Sequence, residues 1–180
     1  MEHGSPVTAA VQCLRAMSRQ DGGGPGVPTA VLDTNVVLDW LVFDDARVAA
    51  LVGALAAGTL HAIATPAMRH ELACMLASQR LQRWAPDAAA ALQAYDRSVR
   101  MLDDAAAHGP WPAGRPRCTD ADDQVFIDLA LTQRARWLLT HDRALLRLAR
   151  RLRSHGVQVL TPMGWAAQAG AGVAGSRPGT

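Results

Sequence analysis

Four short apolar runs punctuate the chain, at residues 29–32, 60–64, 136–139 and 157–160. Each is too short for a buried helix and is followed by polar residues, so each reads as a buried strand. Between them lie stretches with helical spacing. Residues 35–42 are apolar enough for a buried helical turn. Asp44 or Asp45 then caps an alanine-rich helix that runs to about Ala57, where Gly58 stops it. Thr65 followed by Pro66 combines an N-cap with a proline at the first helical position, and opens a helix to about Gln79. Residues 86–107 carry a long helical pattern, closed by His108-Gly109-Pro110. Residues 120–134 read as a helix with an acidic start, and 142–152 as a further helix. Short strands alternating with helices predict an α/β fold on a parallel sheet. In such sheets ligands bind at the carboxyl ends of the strands.

The pattern weakens at both ends. Residues 1–28 read as an N-terminal extension. It contains a short helical stretch at 7–17 and a Gly-rich linker, D-G-G-G-P-G, at 21–26. Met17 lies close before that linker and is an alternative start. The Gly- and Ala-rich residues 163–180 read as a disordered tail. One domain is therefore expected over 29–162, with no internal repeat.

Composition narrows the class. A hydrophobic fraction of 49% and a mean hydropathy near zero fit a soluble globular chain. No apolar run approaches the roughly 20 residues needed to span a bilayer. The start M-E-H-G-S-P lacks the pattern of a signal peptide. A cytoplasmic protein with no membrane role is expected. Cys13, Cys74 and Cys118 are far apart, and imply neither a disulfide framework nor a zinc site.

The net charge of +2 carries little information, but its distribution carries more. All 18 basic residues are arginine. Residues 119–128 hold four aspartates and no base, whereas 134–153 hold seven arginines and one acid. An acidic knot is followed at once by a basic stretch.

The acids fall where the scheme puts strand ends and helix starts. Asp33 ends the first strand. Glu71 lies in the second turn of the helix after the second strand. Asp120, Asp122 and Asp123 open a helix, and Asp142 follows the strand at 136–139. Each has a plain structural reading. Asp33 and Asp142 suit helix caps, Glu71 suits a solvated face, and the 120–123 acids suit a helix dipole. Together on one rim they would repel one another, and a divalent cation would relieve that repulsion. Oxygen-only donors select Mg²⁺ or Mn²⁺.

The stretches V-L-D-T-N-V-V at 31–37, E-L at 71–72, D-A-D-D-Q-V-F-I-D-L-A at 120–130 and L-L-T-H-D-R-A-L-L at 138–146 resemble the motifs of PIN domains. The resemblance is strongest to the bacterial branch of toxin components from toxin–antitoxin systems. It spans about residues 29–162. It implies a three-layer α/β/α sandwich with a central parallel sheet, and a Mg²⁺- or Mn²⁺-dependent ribonuclease. It assigns Asp33, Glu71, Asp123 and Asp142 as the catalytic metal-binding acids. Asp120 is an additional ligand, and Asn35 and Thr140 are hydrogen-bonding supports. Asp122 stays a helix-start acid and Asp39 a structural or surface acid. An antitoxin partner and a homodimer are further expectations, with the helix near 45–57 as a pairing surface. The chain departs from the pattern at Gln124 and His141, neither of which removes a ligand.

The implied chemistry is in-line attack of water on phosphorus, leaving 5′-phosphate and 3′-hydroxyl ends without a nucleophilic side chain. His141 neighbours Asp142 but is disfavoured as a general base, because adjacent residues at a helix start point apart. Leu145, Leu148 and Leu152 make one apolar face of the last arginine-rich helix. Arg143, Arg147 and Arg150 or Arg151 line another and are candidate phosphate contacts. The alternative is a solvated face. Arg115 and Arg117 form a second candidate RNA clamp, and Trp111 either stacks on a base or packs on the domain. Two other functions compete: a silent PIN-like module that holds RNA or protein, and a hydrolase with Asp33 as nucleophile. The second wants another aspartate where the chain has Asn35.

Overall fold

The computed structural model of the protein describes residues 26–173, with side-chain surroundings through 169. The expected helix at 7–17, most of the Gly-rich linker and residues 174–180 lie outside the described residues.

Five strands form one parallel sheet: β1 (Thr29–Leu32), β2 (His61–Ala64), β3 (Val99–Met101), β4 (Trp137–Leu139) and β5 (Gln158–Leu160), in the order β3-β2-β1-β4-β5. Ala30, Val31 and Leu32 are consecutive and all buried, as are Ala62, Ile63 and Ala64. A strand buried on both faces needs cover on both sides. That cover makes the fold a three-layer α/β/α sandwich. The eight α-helices among the described residues are α1 (Thr34–Leu41), α2 (Ala49–Ala56), α3 (Pro66–Leu76), α4 (Ala88–Ser98), α5 (Gln124–Thr132), α6 (Arg143–Arg147), α7 (Ala149–Arg153) and α8 (Pro162–Val173). None is long and apolar enough to cross a membrane.

The chain moves outward from β1 to β2 and β3, then returns to add β4 on the other side of β1. The topological switch therefore lies between β1 and β4. Asp33 leaves the end of β1 there, and Thr140 leaves the end of β4. The Asp33 N–H donates to Leu139 O at 3.0 Å, so the two exits are hydrogen-bonded.

Local chemistry explains half of the α-helix starts among the described residues. Asp33, Thr65, Asp87 and Asp142 each cap the next helix with a side-chain oxygen. Gly58, at φ +66°, takes the left-handed turn that ends the α2 segment.

Four expectations are corrected. The 86–107 helix stops at Ser98, and β3 follows, pairing Val99 with Ala62 and Met101 with Ala64. A three-residue edge strand inside a helical pattern is selected by tertiary pairing. The 120–134 helix begins only at Gln124, because Asp122 N–H folds back onto Asp120 Oδ1 at 3.0 Å. The 142–152 helix is two short ones. Leu148 N–H bonds to Leu145 O, three residues back, which tightens the turn and breaks the ladder. Residues 163–173, expected to be disordered, fall in α8, which starts at Pro162. Its Trp165 is 5% exposed and meets Trp137 edge-on at 5.9 Å.

Candidate active site

Asp33 is 2% exposed at the switch point. Its Oδ2 accepts from Thr140 Oγ1 at 2.6 Å, and its Oδ1 from Asn35 N–H at 3.4 Å. Capping α1 therefore engages one oxygen and Thr140 the other. Burial pushes the Asp33 carboxyl upward. The Thr140 and Asn35 hydrogen bonds pull it down, and Asp142 pushes it up again. Thr140 is itself fully buried, and its Oγ1 accepts from Asp142 N–H at 2.8 Å. One hydroxyl thus ties the end of β1 to the start of α6.

Glu71 reaches the same rim from α3. Thr34 Oγ1 donates to Glu71 Oε1 at 3.1 Å. The Glu71 carboxyl is raised by burial and by the charges of Asp33 and Asp122, while Thr34 opposes the shift. Asp123 stands at the N-terminus of α5 without a side-chain cap bond. Its carboxyl is pushed up to about 6, first by burial and then by Asp33, Asp142, Asp120 and Glu71. Four other acids act on one carboxyl, so the five lie within electrostatic reach of one another. Asp142 Oδ1 caps α6 by accepting from Ala144 N–H and Leu145 N–H at 3.2 Å for the latter.

The structure thus brings together Asp33, Glu71, Asp120, Asp123 and Asp142. Asp120 is exposed and serves mainly the turn before α5. Sequence reasoning set Asp122 aside, yet its charge acts on Glu71. Asn35 supports Asp33 through its backbone, and Thr34 makes the bond to Glu71. The donor set is almost all carboxylate oxygen, which fits a hard divalent cation. Cys118 also lies nearby, with its Sγ 3.9 Å from Asp123 Oδ2. Among the described residues no three His, Cys, Asp or Glu side chains have closed to ligating distance. The acids stand in range to repel one another.

The arginines divide. Arg115 Nη1 donates to Asp128 Oδ2 at 2.8 Å, and the guanidinium lies 4.0 Å from the Trp111 ring centre. Gln124 bonds the other Asp128 oxygen at 2.8 Å and accepts from Cys118 N–H at 2.8 Å. Arg115 thus fastens the proline-rich loop to α5. Trp111 packs against Arg115 and closely over Gly109. Arg117, Arg143, Arg147, Arg150 and Arg151 are exposed, and none forms an ion pair among the described residues.

His141 turns its Nε2 to within 2.9 Å of Asp39 Oδ2. Asp39, on α1, is 9% exposed. The contact is off hydrogen-bond alignment, so it is a close approach of ring and carboxylate. Burial raises the Asp39 carboxyl, and His141 opposes that shift. Asp39 is therefore a buried acid and not a surface one. A cavity of about 680 Å³, lined by Trp111, Gln133, Arg134 and His155 among others, opens at the opposite rim of the sheet, away from the carboxylates.

A family model described as PIN domain matches residues 29–144. No curated protein and no solved structure matches the chain significantly.

Proposed function

We propose that this chain, which belongs to the PIN domain family by the match over residues 29–144, is a metal-dependent endoribonuclease. Membership supports nuclease-type chemistry, and divalent metals are typical of such nucleases. The observation that carries the finer reading is the repulsion gathered on Asp123, raised to about 6 by burial and four neighbouring acids. A site built at that electrostatic cost invites a cation.

Asp33, Glu71, Asp123 and Asp142 would hold Mg²⁺ or Mn²⁺, with Asp120 at the outer edge. When bound, the cation supplies charge neutralisation at a phosphoryl group and acidifies water. The remaining roles belong to the chain. Thr140 aims Asp33 and fixes the backbone of Asp142, and Thr34 aims Glu71. Arg143 and Arg147, on the short helix that Asp142 caps, would hold RNA phosphates beside the acids. Arg117 and Arg151 would extend that contact. The nuclease unit is taken as residues 29–162 with α8 packed against it. The further expectations of a toxin role, an antitoxin partner and a homodimer rest on the motif resemblance, and that of a cytoplasmic site of action on the sequence pattern.

The test compares wild type with Asp33→Asn and Asp123→Asn on structured and unstructured RNA, with Mn²⁺, Mg²⁺ or EDTA. Metal-dependent cleavage lost in both variants supports the reading. RNA binding without cleavage by the wild type would assign the chain to the silent-module alternative.

A further inference from the structure

Asp39 sits on α1, the helix that Asp33 caps, and His141 lies between Thr140 and Asp142. Two ties therefore join α1 and β1 to the β4–α6 turn. One is the Thr140 hydroxyl between Asp33 and the Asp142 backbone. The other is the His141 ring against the buried Asp39 carboxylate at 2.9 Å. The two ties grip the turn at consecutive residues, and Asp142 comes next. Asp142 already caps α6 through its Oδ1, and gripping the two residues before it fixes the start of that helix against β1 and α1.

The rest of the neighbourhood concentrates this role on Asp39. Asp45 N–H donates to Asp39 O at 2.9 Å, so the α1–α2 connection is folded back onto the same point. Arg47 is engaged with Asp45. Its charge is held there, and His141 is the ring that reaches the Asp39 carboxylate. Nothing in the reaction requires an acid at this buried position. A neutral residue would pack there without the cost of desolvating a carboxylate.

We infer that Asp39 is a positioning residue, which holds His141 and thereby sets the Asp142 carboxylate opposite Asp33 in the arrangement that takes a divalent cation. This rests on reading the cleft as a metal site. Groups hydrogen-bonded directly to metal ligands are worth roughly 10- to 100-fold in metal affinity or activity; Asp39 acts one step further out, through His141 and the backbone of the turn, so its effect belongs at the low end of that range.

The experiment measures Mn²⁺ affinity by electron paramagnetic resonance, together with kcat, KM and Tm. It uses the full chain as wild type, Asp39→Asn, His141→Ala, the double variant and Asp33→Asn. His141 is partly exposed, so His141→Ala keeps the test open should Asp39→Asn fold poorly. The inference expects each single variant to weaken Mn²⁺ binding about tenfold and to lower kcat with KM unchanged. The double variant should be no worse than either single one, because the two residues act as a unit. A lowered Tm with Mn²⁺ affinity and kcat intact would overturn the inference and leave a purely structural pair. An effect of His141→Ala without one of Asp39→Asn would also overturn it. If the wild type binds Mn²⁺ no better than Asp33→Asn does, the metal reading of the cleft falls and the inference falls with it.

Discussion

Thr140 donates its hydroxyl to Asp33 Oδ2 at 2.6 Å across 107 residues of sequence. The bond closes the switch point of the sheet. It joins the ends of two adjacent strands that the chain visits far apart, and it keeps a buried carboxylate aimed along the rim.

Replacing Thr140 with valine keeps the shape and removes the hydroxyl. Asp33 then loses a donor in a buried site, which costs about 1–3 kcal/mol. Asp142 N–H loses its acceptor in the same step. Denaturant unfolding is expected to show that loss, and cleavage assays a fall of roughly 10- to 100-fold. A valine variant with unchanged cleavage would show that the tie does not serve the site.

Asp123→Asn is expected to stabilise the metal-free protein near neutral pH. The folded-state value of about 6 lies above the ordinary 3.8. Folding thus takes up protons between those values, and the advantage is fully present below about 4. It is lost as pH rises through about 6. After discounting for the group's partial exposure, the gain on substitution is about 1 kcal/mol, or roughly 2–4 °C in Tm. The same proton must leave when a cation binds, so Mn²⁺ affinity of the wild type should drop below about pH 6. Thermal scans at pH 5 and pH 8, with and without Mn²⁺, check both signs.

The two sets of arginines should separate cleanly. Arg115→Ala strands the Asp128 carboxylate, and is expected to cost about 2 kcal/mol or more while leaving RNA affinity unchanged. Arg147→Ala should leave Tm unchanged, weaken RNA binding, and reduce the salt dependence of binding by about one charge. RNA-binding isotherms at several salt concentrations distinguish them.

Trp165→Ala tests α8. Its indole is buried against Trp137, so truncation should cost about 3–5 kcal/mol and lower Tm by roughly 10 °C. A tail that only trails from the domain would show no change.

What the sequence made legible depended on whether the signal was local. Asp33, Thr65 and Asp142 announce caps by residue type and position, and all three cap. The buried runs of β1, β2, β4 and β5 are dense enough to read as strands. β3 was hidden because Val99-Arg100-Met101 continues a helical spacing, and only pairing with β2 selects extension. The start of α5 was misjudged because the Asp120 turn competes with the helix for the same backbone. Residue type alone offered Arg115 to RNA, and its partner Asp128 lies 13 residues on. Side-chain pairing over that span carries no local signature. Asp39 and His141, 102 positions apart, were hidden for the same reason.

The central claim is that Asp33, Glu71, Asp123 and Asp142 act as one metal-dependent site. The most direct measurement is the single-turnover cleavage rate of an end-labelled RNA in Mn²⁺, for the wild type and for each of Asp33→Asn, Glu71→Gln, Asp123→Asn and Asp142→Asn. The account predicts cleavage by the wild type that EDTA abolishes, and a loss of at least about 100-fold in every variant. Wild-type rates in Asp33→Asn and Asp123→Asn, or cleavage that persists in EDTA, would contradict it.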